Sequence, residues 1–125
     1  QPAPTMRPLK ELAQHLALVP GTDLLILQER PETDIRAFES KFAATTDADD
    51  LIRVMEQGFA DLKAYMDDLS DEQFLAMKTR PFYVDHAVIQ AKWLIEIVTH
   101  AQHHRAQLFM YLKHLGHEVN MFDLY

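Results

Sequence analysis

Ile89, Trp93, Ile97, His100, His104, Leu108, Tyr111 and Leu115 follow one another at three- and four-residue steps. Such steps return to one face of an α-helix, whereas a half-buried strand needs alternation by twos. The pattern predicts one long helix from about Val84 or Asp85 to Leu115, with Gly116 placed to end it. A helix of that length spans about 45 Å. Its apolar stripe is stable in water only if other helices lie along it.

The rest of the chain supplies shorter stripes. Leu9, Leu12, Leu16 and Val19 mark a helix over roughly Pro8 to Val19, with His15 inside its stripe. Pro20-Gly21 reads as an interruption, and Thr22 or Asp23 as the cap of a short continuation through Leu24–Leu27. After a connection over residues 29–32, a short helix is expected from Thr33 to Phe42, capped by Thr33 or Asp34. The acidic run Asp47–Asp50 suits the positive end of a helix reaching Leu69, with Leu51, Met55, Gly58, Leu62, Tyr65 and Leu69 on one side. Ser70 begins a further turn of helix through Met77, and Thr79-Arg80-Pro81 breaks it. Residues 1–5 read as an extended lead-in, and the tail from His117 to Tyr125, with Met121, Phe122, Leu124 and Tyr125, is expected to pack down. Strand-type alternation is absent, so the expected class is all-α, in one domain over residues 1–125.

Composition narrows the chemistry. With no Cys, thiol catalysis by the protein itself, cysteine-zinc sites and disulfides are excluded, and a reducing cytoplasm is the matching compartment. A net charge of −7 without a Lys/Arg cluster argues against direct nucleic-acid binding. No apolar run approaches a membrane span, and no signal-peptide pattern is visible.

The chemistry-bearing feature is Thr99-His100-Ala101-Gln102-His103-His104-Arg105-Ala106-Gln107. His100 and His104, at i and i+4, share a helix face and interrupt an otherwise apolar stripe. Two imidazoles on a core face each need partners for both ring nitrogens, and a metal ion satisfies one on each. Two hydrogen-bonded histidines near a helix surface are the plainer alternative. His15, on the buried stripe of another helix, is the best third ligand. His86 falls on nearly the face of His100 but about 21 Å away along the helix. His103 is rotated off the stripe, to an outer or solvent-facing role, and His114 and His117 suit the helix C-terminus.

A zinc-protease motif would place a glutamate directly after the first histidine; Ala101 stands there instead. Glu11 and Glu96 precede His15 and His100 by four, rather than by the three of di-iron bundles. Glu96 is the one sequence-level candidate for a carboxylate near the metal, and Glu11 reads as an exposed helix charge. Three neutral histidines leave open positions on a cation, which is a catalytic layout, and suit Zn²⁺, Ni²⁺ or Fe²⁺.

His100-x-x-x-His104-Arg105-x-Gln107, with Trp93-Leu94-Ile95-Glu96-Ile97-Val98 upstream and Leu112-x-x-Leu115-Gly116 downstream, resembles the motif of the DinB family of damage-inducible proteins. Leu12-Ala13-Gln14-His15-Leu16 occupies the place of that family's first metal histidine. Ala106 stands where the family commonly has Gly. The resemblance implies a four-helix bundle of DinB/YfiT type with a three-histidine metal site opening to a pocket, often in a homodimer. It also implies a further helix ahead of the His15 segment, which this chain lacks. The expectation is therefore an N-terminally truncated bundle whose uncovered stripe is met by that helix or by a partner subunit.

Relatives of this kind include metal-dependent transferases that use low-molecular-weight thiols such as bacillithiol or mycothiol, and hydrolases. The expected ligands are His15, His100 and His104. Arg105 is the candidate for an anionic substrate group or a surface ion pair, and Gln107 and His103 for the outer shell. Tyr111 and Tyr65 are candidate proton donors or simply core aromatics. Gly58 leaves room for substrate or for close packing. Three functions stay open: thiol S-transfer to a small-molecule substrate, hydrolysis by metal-activated water with Glu96 as base, and a non-catalytic metal-binding role in stress response. The family name speaks to when the gene is expressed rather than to DNA contact.

Overall fold

The computed structural model describes residues 8–123; the expected lead-in over residues 1–5, and Leu124 and Tyr125 of the tail, lie outside them. Among the described residues five α-helices form: α1 (Leu9–Leu27), α2 (Glu32–Lys41), α3 (Ala48–Asp67), α4 (Asp71–Ala76) and α5 (Gln90–His114). The class is all-α. α1 packs along both α3 and α5, and α2 lies against α1.

Local chemistry sets most boundaries. Asp47 caps α3, its carboxylate accepting from Asp50 N at 3.1 Å. Ser70 and Gln73 form a reciprocal capping box on α4. α5 ends with Gly116 at φ 91°, where His117 N donates to Leu112 O and Gly116 N to Lys113 O, the double closure of a Schellman turn. The expected side-chain cap on α2 is absent: Pro31 holds that position with no side-chain bond.

Three further expectations are corrected. First, Pro20-Gly21 does not interrupt α1, which runs unbroken to Leu27. Pro20 forfeits a helix hydrogen bond, but its ring is fully buried in the α1–α3 crossing. A Cβ at Gly58 would stand 2.9 Å from both Gly21 N and Pro20 Cγ, so the missing side chain on α3 is what lets that crossing close. Close packing is thus the role of Gly58.

Second, α5 starts at Gln90, not at Val84 or Asp85. Lys78–Thr79 (β1) pairs antiparallel with Val88–Ile89 (β2). The fully buried Gln90 side chain fixes this hairpin: its Oε1 accepts from Tyr65 Oη at 2.7 Å and its Nε2 donates to Thr79 Oγ1 at 3.1 Å. Trp93 Nε1 donates to Thr79 O at 3.4 Å, and Gln90 N to Met77 O at 3.1 Å. His86 therefore sits in an exposed loop rather than on the helix.

Third, the described tail does not pack down: Met121 and Phe122, in a 3-10 turn, are 68 % and 87 % exposed.

The core has two parts. Leu24, Leu27, Ile35, Leu62, Trp93 and Ile97 lead the larger cluster. Leu16, Val19 and Ala101 form the smaller one, edged by Met55, Phe59 and Leu108. A mostly apolar cavity of about 250 Å³, lined by Phe59, Leu62, Met66, Leu94 and Val98 with the Lys63–Asp67 ion pair beside them, opens between α3 and α5. With exposed Ile52, Ile95 and Val98 it leaves these two helices an uncovered apolar face. No helix among the described residues is long and apolar enough to cross a membrane.

Candidate metal centre

The smaller core cluster brings the histidines together. Buried Ala101 lies between His100 and His104 on α5 and packs in one cluster with Leu16, the neighbour of His15 on α1. A side chain as small as a methyl at that contact lets the two helices approach closely. Gln14, on the other side of His15, donates to Thr45 O at 2.6 Å and Ala43 O at 3.2 Å, which ties the α2–α3 connection to this part of α1.

The result is a half-buried group in which one nitrogen of each of His15, His100 and His104 lies within 4.8 Å of the others. His104 is central: its Nε2 is 3.0 Å from His15 Nε2 and 3.0 Å from His100 Nε2. Its ring stands edge-on to His15, with centroids 4.4 Å apart.

The outer nitrogens decide what the inner ones can do. His100 Nδ1 lies 2.7 Å from Asp23 Oδ2, and His104 Nδ1 lies 2.7 Å from Gln107 Oε1. Both partners are acceptors, so each Nδ1 carries the proton and each Nε2 turns a lone pair inward. Two lone pairs at 3.0 Å repel one another unless a cation lies between them. Nitrogens about 2.1 Å from one ion, at tetrahedral or octahedral angles, would lie roughly 3.0–3.4 Å apart. The donor set and the two 3.0 Å spacings at His104 fit a divalent ion.

Asp23 is the carboxylate that sequence reasoning missed at this site, where it figured only as a helix cap. Its side chain is 14 % exposed. Burial pushes its carboxyl above the ordinary value; the hydrogen bond from His100 pulls the other way, and burial prevails. The findable signal was the eight-residue step from His15, which shares a face on a helix that continues through Pro20. A cavity of about 90 Å³, lined by His15, Leu18, Val19, Thr22, Asp23, Glu39 and His100, opens beside the centre.

The other expected residues scatter. Glu96 is half exposed and faces Lys92 Nζ at 3.6 Å on the outer surface of α5. Tyr111 is buried, two turns beyond His104, and Tyr65 is bound to Gln90. Gln107 holds His104, and Arg105 is half-buried beside it in sequence. His103 is exposed, its ring centroid 5.0 Å from that of His104. Glu11, His86, His114 and His117 are exposed.

Comparison with known proteins agrees with this architecture. The family model described as the DinB family matches residues 2–125. A solved structure of a candidate DinB family member from Exiguobacterium sibiricum 255-15 superposes with a TM-score of 0.70 at 25 % identity. That match covers 100 % of this chain and 77 % of the other. A search of curated proteins returned no match. An all-α fold, a converging histidine triad and a family match along nearly the whole sequence lead to one conclusion: this chain belongs to the DinB family.

Proposed function

We infer that this chain is a metal-dependent transferase that conjugates a low-molecular-weight thiol to a small electrophile, with His15, His100 and His104 holding the metal. The observation that carries the reading is the pair of inward lone pairs on His100 and His104, 3.0 Å apart and each fixed by an acceptor behind the ring. Three neutral imidazoles suit Zn²⁺ or Ni²⁺, and also Fe²⁺. A divalent ion there supplies Lewis acidity, lowering the pKa of a thiol so that its sulfur is nucleophilic at neutral pH.

The chain's own residues supply position and access. Asp23 and Gln107 orient two rings, and the cavity beside His15 and His100 admits a small group. Arg105, half-buried and next to His104 in sequence, is the residue we assign to an anionic group on the thiol. In the reaction the sulfur–carbon bond forms, the bond to the leaving group breaks, and the thiol proton passes to solvent.

Sulfur is preferred to water because the expected base, Glu96, faces Lys92 rather than the histidines, and Asp23 is held against His100 Nδ1. Glu39, which lines the cavity, favours hydrolysis as the second reading. The net charge of −7 makes nucleic acid a poor partner. The uncovered face of α3 and α5 supports a homodimer or a further helix as its cover.

The test is turnover of monobromobimane and 1-chloro-2,4-dinitrobenzene by the zinc- and nickel-loaded protein, with glutathione, cysteine or bacillithiol. Metal-dependent conjugation that disappears in His104→Ala supports the reading. Metal-dependent ester hydrolysis without any thiol replaces it with the second. Tight metal binding with neither activity overturns the enzyme assignment and leaves the metal-binding stress protein.

A further inference from the structure

Asp23 has a place in the fold that a surface carboxylate would not. It sits on α1 eight residues after His15, about 12 Å along the axis, and on the same helix face. From there it reaches across to α5 and holds the far side of His100, 2.7 Å from its Nδ1. One helix thus supplies a nitrogen to the centre and also grips the ring that the other helix supplies. A buried carboxylate must have a partner, and this one has a ring N–H. The placement depends on α1 running unbroken through Pro20 and Gly21, the stretch seated against Gly58 of α3.

We propose that Asp23 is the positioning residue of the histidine centre: it holds the proton of His100 on Nδ1, commits Nε2 to the metal, and places a negative charge behind that nitrogen. This rests on the three-histidine reading above. Carboxylates behind a ligand imidazole fix its tautomer and raise its basicity, and their loss typically costs about 10–100-fold in metal affinity. Gln107 performs the first task for His104 but brings no charge. The two rings are therefore unequal, with His100 the stronger donor.

Two readouts test this in the purified chain. Long-range ¹H–¹⁵N correlation spectra of the metal-free protein report the tautomer of His100. The wild type is expected to show Nδ1–H, and Asp23→Ala to move the population toward Nε2–H. Asp23→Asn, which keeps an acceptor in place, is expected to retain Nδ1–H. Co²⁺ affinity by chelator competition is expected to fall about 10–100-fold in Asp23→Ala and less in Asp23→Asn, with an altered visible spectrum in the alanine variant. An unchanged tautomer together with unchanged Co²⁺ affinity in Asp23→Ala overturns the proposal. If the alanine variant fails to fold, Asp23→Asn decides alone: Co²⁺ affinity equal to the wild type refutes the role of the charge. His104→Ala separates the two levels. If it still binds Co²⁺ as the wild type does, the three-histidine reading itself fails; if it does not and Asp23→Ala does, only the role of Asp23 fails.

Discussion

Two polar clusters lie on α5, ten residues apart, and they are built to opposite ends. At the N-terminus Gln90 is fully buried, and both ends of its amide are engaged by Tyr65 and Thr79. Every polar atom of that side chain meets a protein group of the complementary kind, and the cluster locks a hairpin onto a helix. At His100 and His104 the outer nitrogens meet acceptors, but the inner ones meet each other. The first network is complete in itself. The second turns ring nitrogens toward one point, where a cation would satisfy them. A closed buried network stabilises a fold; one with converging lone pairs is a receptor.

The sharpest way to break that contrast is His104→Ala, which removes the central ring. Stoichiometric binding of Zn²⁺ or Ni²⁺ is expected to be lost in equilibrium dialysis. So is the stabilisation by metal, about 2.7 kcal/mol at a hundredfold excess over Kd, read by calorimetry with and without chelator. Gln90→Leu should do the reverse. It strands the Tyr65 hydroxyl and Thr79, costs about 1–3 kcal/mol in urea unfolding, and leaves metal affinity as it was. If it weakened metal binding as much as the histidine variant, the two clusters would not be separate devices.

Tyr65→Phe is the gentlest probe, expected to cost about 1 kcal/mol by removing one donor to Gln90. It also carries a pH signature. Burial, and then the charge of Glu29, push the Tyr65 phenol above its ordinary value. The folded-state pKa exceeds the unfolded one, so this contribution is whole below the ordinary tyrosine range and fades as pH rises through the folded value. The wild type should lose stability over that alkaline window, and Tyr65→Phe should flatten part of the loss in urea titrations across it.

Much of this was legible in the chain. The stripe from Trp93 to Tyr111 was enough to require a long helix, and i,i+4 spacing put His100 and His104 on one face. His15 stood out because a histidine inside an apolar stripe needs a polar reason to be there. Ser70, Asp47 and Gly116 declared helix ends by local chemistry that no distant residue alters.

The misreadings share a cause. Pro20-Gly21 reads as a break because local propensity opposes a helix there, yet burial against Gly58 carries α1 through. Val84–Ile89 reads as helix because its spacing continues the stripe, yet the bonds of Gln90 to residues distant in sequence hold it as a hairpin. Glu96 drew attention by its four-residue offset from His100 and lies on the surface, while Asp23, with no local motif, holds that ring. Periodicity and caps are properties of a few neighbouring residues, so the sequence alone determined the helical class, most helix ends and the three histidines worth watching. Which nitrogen of each ring turns inward, and what grips it from behind, depends on how two helices cross, and that was decided only when burial of α1 between α3 and α5 set their register.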